Sequence, residues 1–152
     1  MEQLTTYRAK GKEIGLIFLF KYDLNGNLKL FEISEGELTP MQMKWLFAGA
    51  HFPANESIIR SVWQKEQAYK QKFEIEVSPA DLSFEAIWNL YDNKVKRVES
   101  EKQFNKLKEA DVIKLFLSVP RYKEYLQRKR IAQAHLSTFI NQRYFEDDWS
   151  KA

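Results

Sequence analysis

The segment IGLIFLFKYDLNGNLKLFEI, residues 14–33, decides the first part of the fold. Two stretches rich in apolar and aromatic residues, 14–22 and 27–33, flank the dipeptide Asn25-Gly26. Asn-Gly is favoured in the two-residue loop of a type I′ hairpin, because both central positions of that turn need a positive φ. The segment therefore predicts an antiparallel β-hairpin.

A two-residue loop also predicts the register of the hairpin, because residues whose numbers add up to 51 then lie opposite each other. Phe20 pairs with Phe31, and Phe18 pairs with Ile33, so that these four residues form one apolar face. The opposite face is mixed and half solvated, and it carries Lys21, Leu30, Leu19 and Glu32.

Two helices and a third strand follow the hairpin. Thr39-Pro40 is typical of a helix start, with the cap residue followed by proline at the first helical position. Asn55 can cap a second helix, and the alternation in residues 72–77 predicts a strand added to the hairpin. The expected buried faces are Met43, Leu46, Phe47 and Ala50 in the first helix, and Ile58, Ile59, Val62 and Trp63 in the second.

Beyond Ser78-Pro79 every periodic pattern is helical. Pro120 must kink or split the third of the four predicted helices. The four apolar stripes are Phe84, Ile87, Trp88, Tyr91 and Val95; Ser100, Phe104 and Leu107; Val112, Leu115, Phe116, Val119, Tyr122 and Leu126; and Leu136, Phe139, Ile140 and Tyr144. The sequence therefore predicts an α+β protein. Its module 1–79 has the order β-β-α-α-β with a small antiparallel sheet, and its module 80–152 is a C-terminal helical bundle packed with the first as one compact unit.

Composition excludes several classes of protein. The chain has 152 residues, of which 44% are hydrophobic, and this is enough for a real core without a metal or disulfide staple. It contains no cysteine, which excludes thiol catalysis, disulfides and cysteine zinc sites. The longest apolar run, residues 14–20, is too short to span a bilayer, and residues 1–12 do not have the pattern of a signal peptide. We expect a cytoplasmic protein without a membrane partner.

No motif indicates catalysis. His51 and His135 lack metal-ligand spacing, and the five scattered glycines form no phosphate-binding loop. The acidic residues Glu146, Asp147 and Asp148 could hold a divalent cation, but three adjacent acids are more typical of a solvated tail. We expect no catalytic residue, no metal and no cofactor, and we interpret the chain as a non-enzyme.

Charge is unevenly distributed along the chain. Residues 1–79 have a net charge of zero, whereas residues 94–130 contain twelve basic and five acidic residues, a net charge of +7. Such asymmetry favours a polyanionic partner, although a solvated lysine-rich surface explains it as well. On one helix, Lys114, Arg121 and Arg128 form a ridge because they are seven residues apart. The candidate nucleic-acid-binding residues are Lys94, Lys96, Arg97, Lys114, Arg121, Arg128, Lys129, Arg130 and Arg143.

Four further residues or groups have two interpretations each. Tyr122, Tyr125 and Tyr144 could stack on bases, or they could pack in the core and at its rim. The triplet Asn141-Gln142-Arg143 could contact a nucleic acid or a partner, or it could hydrogen-bond the loop backbone where the last helix ends.

The aromatic and basic residues after position 83 also form an ordered pattern. The elements are Phe84–Trp88–Tyr91, then Lys94-Val95-Lys96-Arg97, then Ser100–Phe104–Leu107, and finally the segment FINQRYFED at 139–147. In this order they resemble the C-terminal helical segment of phage and prophage replication proteins of the replisome-organiser or helicase-loader type. The whole chain is similar to small proteins of gut Bacteroidetes and their prophages. Phe104 and Phe145 stand where that pattern prefers tryptophan, and Tyr144 replaces an arginine.

The resemblance implies a role close to DNA replication, with a replication protein such as a helicase as a partner. Together with the basic module, it leads to the hypothesis of a non-enzymatic accessory protein of a mobile element that takes part in DNA replication and binds DNA weakly. The alternative is a protein–protein adaptor that binds no nucleic acid and docks its partner on the hairpin edge.

Overall fold

The computed structural model describes residues 2–152, which form a four-stranded antiparallel sheet and seven α-helices. The predicted α+β class is therefore confirmed. The chain divides into two compact units, and the division falls between Ala80 and Asp81. The packing of the two modules as one compact unit stays a prediction.

The sheet of the N-terminal unit contains one strand that the sequence analysis missed. Its strands are β1 (Thr5–Gly11), β2 (Ile17–Tyr22), β3 (Leu28–Glu35) and β4 (Phe73–Ser78), in the order β3-β2-β1-β4. The strand predicted over residues 72–77 is confirmed as β4, but it pairs with β1 and not with the hairpin of β2 and β3. Tyr7 and Ala9 point into the core, while Arg8 between them forms an ion pair with Glu76 of β4 at 3.7 Å.

The predicted hairpin register is confirmed, but the turn is of another type. Asp23 N donates to Asn27 O at 2.9 Å and Gly26 N donates to Asp23 O at 3.0 Å, so that the loop has three residues. Gly26 has a φ of 83°, whereas Asn25 is not a positive-φ residue, and the type I′ prediction was therefore wrong. A bulge after Lys21 absorbs one residue of β3 and restores the register. The confirmed pairs are Phe18↔Ile33, Leu19↔Glu32, Phe20↔Phe31 and Lys21↔Leu30.

Gly26 and Gly36 both have a φ of 83°, but their surroundings differ. A Cβ added to Gly26 would lie 3.6 Å from the Cβ of Glu56, an ordinary contact. A Cβ added to Gly36 would lie 2.5 Å from the backbone oxygen of Gly15, and this contact is too close for any side chain. Gly36, after β3, is therefore required both for its positive φ and for the close approach of the Gly15 backbone, whereas Gly26 is favoured for its positive φ alone.

The helices of the N-terminal unit are short and contain π-helical turns. They are α1 (Pro40–Met43), continued by a π-helical turn at Lys44–Ala48; α2 (Glu56–Ile58), continued by a π-helical turn at Ile59–Trp63; and α3 (Gln67–Lys70). Both predicted caps are confirmed. Thr39 forms a capping box with Gln42, and the Asn55 side chain accepts from Ile58 N.

The predicted buried face of the first helix was largely wrong. Leu46 is buried, but Met43 and Phe47 are 49% and 57% exposed. Ala50 is also exposed and lies beyond the helical turns. A π-helical turn has more residues per turn than an α-helix, so that it rotates the positions after Met43 and turns Trp45 toward the core instead. In the second helix the predicted stripe is confirmed, because Ile59 and Trp63 are fully buried.

Aromatic rings from the sheet and both π-helical turns form the N-terminal core. Phe18 and Phe20 are buried, and the partly buried Phe31 and Ile33 pack against the same cluster, as the register predicts. The rings of Phe20 and Phe31 stack at a centroid distance of 5.1 Å. The hairpin therefore contributes one continuous apolar face to this core.

A buried polar network joins the sheet to α2. Tyr7 donates its hydroxyl proton to Glu56 Oε2 at 2.7 Å, and Arg60 binds the same oxygen at 2.8 Å and the Tyr7 hydroxyl at 3.0 Å. Burial raises the pKa of Tyr7 to about 12. Glu56 is 8% exposed, so that its charge is stabilised by these two partners instead of by water.

Four helices form the C-terminal unit. They are α4 (Phe84–Tyr91), α5 (Arg97–Phe104), α6 (Glu109–Lys129) and α7 (Leu136–Asn141), followed by a 3₁₀ turn at Tyr144–Glu146. The Ser83 side chain caps α4, as predicted. Pro120 lies inside α6 on its exposed side and does not split the helix.

The predicted C-terminal core is confirmed with one exception. Val95 is 48% exposed, because α4 ends at Tyr91 and Asp92 turns the chain with a φ of 55°. Trp149 is half-buried and packs against the core. The buried members of the core include Phe84, Trp88, Tyr91, Phe104, Phe116 and Phe139.

Candidate nucleic-acid interface

The nine candidate residues all belong to the C-terminal unit, where eight are exposed and Arg121 is half-buried. Lys94 and Lys96 lie between α4 and α5, and Arg97 begins α5. The others are Lys114, Arg121, Arg128 and Lys129 in α6, Arg130 directly after it, and Arg143 after α7.

Lys94 and Arg97 meet at the ring of Trp88. The Nζ of Lys94 lies 5.3 Å from the centroid of this ring, and the guanidinium of Arg97 lies 5.5 Å from it. Lys94 also donates to Asn89 Oδ1 at 2.7 Å, while Arg97 forms an ion pair with Glu85. The structure therefore brings these two predicted cations together on one aromatic platform.

The C-terminal end of α4 explains why lysines gather there. Lys94 donates to the backbone oxygen of Trp88 at 3.2 Å, and Lys123 donates to that of Leu90 at 2.5 Å. The last carbonyls of a helix carry the negative end of its dipole, so that ammonium groups are stabilised at this position; the Trp88 oxygen also accepts from Asp92 N at 3.2 Å.

Lys123 was missed in the sequence analysis although the pattern contains a signal for it. It follows Val119 by four residues and precedes Leu126 by three, which places it at the edge of the buried stripe of α6. A lysine at such a position extends its aliphatic stem along the core and carries its ammonium to the nearest polar group. We add Lys123 to the cations around α4.

The three cations of the predicted ridge share α6, but each has different surroundings. Lys114 and Arg128 are fourteen residues apart and are therefore separated by about 21 Å along the helix axis. Arg121 binds Glu124 at 3.2 Å. Arg128 donates to the backbone oxygen of Trp149 at 3.1 Å. The ridge is therefore a row of separate charges, of which Arg128 holds another part of the unit, the segment after the 3₁₀ turn.

Arg143 lies apart from this row, between two carboxylates. Its guanidinium is 3.2 Å from Asp111 Oδ1 and 2.9 Å from Glu146 Oε1. Hydrogen bonds to Glu146 and Asp111 raise the pKa of the Arg143 guanidinium. The hydrogen bond that Arg143 donates to Glu146 lowers the pKa of the Glu146 carboxyl. Arg143 thus connects the start of α6 to the 3₁₀ turn, and two negative charges compensate its positive charge. Its neighbours Asn141 and Gln142 are exposed.

The tyrosines near these cations pack in the core or at its rim. Tyr122 is 3% exposed, and its hydroxyl accepts a hydrogen bond from Ala134 N at 3.1 Å. Tyr125 and Tyr144 are half-buried against Trp149, at ring distances of 4.9 and 5.9 Å. Of the two interpretations, the structure supports packing, and it excludes base stacking for Tyr122 as positioned.

The histidines and the acidic segment were the other chemical candidates. His51 Nδ1 lies 2.6 Å from the Tyr69 hydroxyl, and His135 precedes α7. Asp148 Oδ1 accepts from the Ser150 hydroxyl at 2.6 Å. Within residues 2–152, no group of three His, Asp or Glu side chains is placed to hold a metal ion.

A comparison with known protein families finds a similarity in the C-terminal part of the chain. Residues 79–143 match the family model of the Legionella vir region protein LvrA C-terminal domain.

The match to the LvrA C-terminal domain includes α4 to α7 and all nine candidate residues, but covers less than half of the chain. It overlaps most of the segment that resembles phage replication proteins, and it names a different family. The link to phage replication proteins stays a prediction. No curated protein and no solved structure matches the chain. In the part of the chain that the structure describes, no helix is long and apolar enough to cross a membrane.

Proposed function

We propose that this chain is a non-enzymatic accessory protein of a mobile genetic element that takes part in DNA replication and binds DNA weakly through its C-terminal unit. The proposal rests chiefly on the cations gathered at the C-terminal end of α4 and in the turn before α5. The similarity of residues 79–143 to a vir region protein supports the mobile-element context.

Several cations of this unit are available to an external anion. Among residues 2–152 no carboxylate lies within ion-pair distance of Lys94, Lys96, Lys129 or Arg130, and none forms an ion pair with Lys114, although its charge helps to lower the pKa of Glu146. A phosphate backbone would therefore add a partner to these groups without breaking an existing ion pair. Neutralising phosphates in this way releases counterions, which makes the affinity strongly dependent on salt.

The geometry favours contacts to phosphate over contacts to bases. Trp88, on which Lys94 and Arg97 lie, is 6% exposed, so its ring has no free face for a base. With about three to five phosphates neutralised, the slope of log K against log salt is about −2 to −5, depending on the strand type. We expect little preference for sequence.

The test is a salt titration of labelled single- and double-stranded DNA with a triple variant of exposed lysines. Lys96→Gln, Lys114→Gln and Lys129→Gln together should weaken binding and flatten the salt slope by about 2 to 3. The control is an equal change of net charge in the N-terminal unit, with Lys44, Lys65 and Lys70 replaced by glutamine. The control should keep the wild-type slope.

Two results would contradict the proposal. An equal loss in both triple variants would mean that net charge, and not this surface, attracts DNA. No binding even at about 50 mM salt would favour the adaptor alternative. For that alternative, the relevant observation is that β3 pairs with one strand, β2, and carries Leu30 at 40% exposure.

A further inference from the structure

The N-terminal unit contains an apolar pocket of about 300 Å³ that the proposed function does not use. Its apolar walls are Ile14 from the loop between β1 and β2, Met41 from α1, Trp45 from the following π-helical turn, and Phe73 at the start of β4. We propose that this pocket docks an acidic peptide segment of a partner protein and takes one bulky apolar side chain of that segment.

The pocket is held in place without a ligand. The ring of Trp45 is stacked on His51 at 4.2 Å with an angle of 11°, and Lys72 Nζ lies 4.6 Å from its centroid. On the opposite wall, Lys12 N donates to Lys72 O at 2.9 Å and ties the loop between β1 and β2 to the start of β4. A pocket that is already formed costs little conformational entropy when a side chain enters it.

Two apolar side chains in the walls of the pocket remain exposed to solvent in the folded chain. Met41 is 82% exposed and Ile14 is 45% exposed. Gly11 lets Ile14 take its position, because a Cβ on Gly11 would collide with the Ile14 side chain. Methionine adapts to ligands of different shape, which suits the rim of a docking site.

Volume and charge indicate the occupant. A pocket of about 300 Å³ is at the lower limit for small-molecule sites, which fits one large side chain better than a nucleotide. Within the described residues, no carboxylate lies within ion-pair distance of Lys72. Glu13 is the one acidic residue of the lining, and Glu74 directly follows the lining residue Phe73. Three further exposed lysines each directly precede a lining residue, so that lysines outnumber glutamates by four to two when Lys72 is counted. These lysines are Lys12, Lys44 and Lys70. The rim is therefore complementary to an acidic segment.

The test is a titration of the ¹⁵N-labelled full chain with the acetylated and amidated peptide Glu-Asp-Phe-Asp-Glu, followed by NMR. The readout is the indole signal of Trp45, assigned with the Trp45→Phe variant. We expect this signal to shift with a Kd in the millimolar range. The same peptide with alanine in place of phenylalanine should bind about tenfold more weakly, because it loses the buried ring.

Two matched pairs of variants distinguish binding in the pocket from an effect of net charge or of any exposed methionine. Lys72→Glu should weaken binding of the acidic peptide about tenfold, whereas Lys102→Glu, an equal charge change in the other unit, should not. Met41→Ala should weaken binding several-fold, whereas Met43→Ala, an exposed methionine of the same helix outside the pocket, should have no effect.

Each of the following results would overturn the proposal. The Trp45 signal does not respond to the peptide, or it responds equally to the alanine peptide. The peptide Lys-Lys-Phe-Lys-Lys binds as well as the acidic one. The chain forms a dimer that Met41→Ala dissociates, which would make a second copy the occupant. None of these measurements depends on DNA binding.

Discussion

Trp88→Ala tests the packing that supports the cation cluster of the C-terminal unit. Trp88 is 6% exposed and stacks on Phe84 at a centroid distance of 5.6 Å. Its ring also supports Lys94 and Arg97 at 5.3 and 5.5 Å. The substitution therefore removes core volume and the platform of two cations at once.

The expected cost is large. A buried tryptophan replaced by alanine loses about 3–5 kcal/mol, from the lost transfer free energy and the cavity that remains. Each lost cation–π contact at an exposed site adds about 0.5–1 kcal/mol, although such contributions are not strictly additive. We therefore expect at least about 4 kcal/mol, a large fraction of the roughly 5–15 kcal/mol that stabilises a typical domain.

Urea unfolding followed by far-ultraviolet circular dichroism measures this loss, because α4 to α7 contribute most of the helical signal. With an m-value of about 2 kcal/mol per M, the midpoint should fall by about 2 M. Val98→Ala is the control, since Val98 is 82% exposed in the neighbouring helix and should cost less than about 0.5 kcal/mol. An unchanged midpoint for Trp88→Ala would refute the described packing of α4.

Three more predictions concern backbone strain and titrating groups, each measured by urea unfolding. Gly36→Ala should destabilise more than Gly26→Ala, which should cost about 1 kcal/mol for its positive φ alone; equal costs would contradict the described backbone contact. The pKa of Tyr7 is raised from 10 to about 12, so the Tyr7 hydroxyl contributes to the free energy of unfolding below pH 10, and this contribution is lost as pH rises toward 12. The difference in stability between wild type and Tyr7→Phe should therefore narrow from pH 10 to pH 12. Arg143→Gln should destabilise at neutral pH and leave the salt slope of DNA binding unchanged. This stability difference should shrink in acid, because the lowered pKa of Glu146 provides stability above pH 4.5, the ordinary pKa of the group, and this stability is lost once Glu146 is protonated. The contact of Arg143 with the ring of Phe145 at 4.9 Å remains. An equally large gap in acid would contradict the last expectation.

The hairpin shows which parts of the fold can be predicted from sequence alone. Phe20 and Phe31 lie opposite each other, as the aromatic pattern predicts. This pairing is kept although the turn is of another type, because the bulge after Lys21 compensates for the longer loop. β1 is not predicted because its alternation contains only two apolar positions, Tyr7 and Ala9, which is too short a pattern to indicate a strand. Its position in the sheet depends on pairing with both β2 and β4, which is a long-range property.

The α1 region and the basic residues show the limits of periodicity. A helical stripe assumes 3.6 residues per turn, so the π-helical turn after Met43 exposes Phe47 against the pattern. For the candidate site, charge counting identified Lys94 and Arg97, but it could not show that both lie on Trp88. It also could not show that two carboxylates compensate Arg143, because Asp111 is far from it in sequence.

The contacts of the cations also explain why the proposed DNA binding should be weak. Arg97 already has Glu85 as an ionic partner, and Lys94 already donates to Asn89 and to the end of α4. A phosphate near either group must share or replace these contacts, so that the net gain is smaller than for a freely hydrated cation. Lys96 lies between them in sequence, is exposed and has no such contact among the described residues. Lys94 and Arg97 therefore mainly hold the local structure of this surface. We infer that Lys96 and the other exposed lysines provide most of the affinity for DNA.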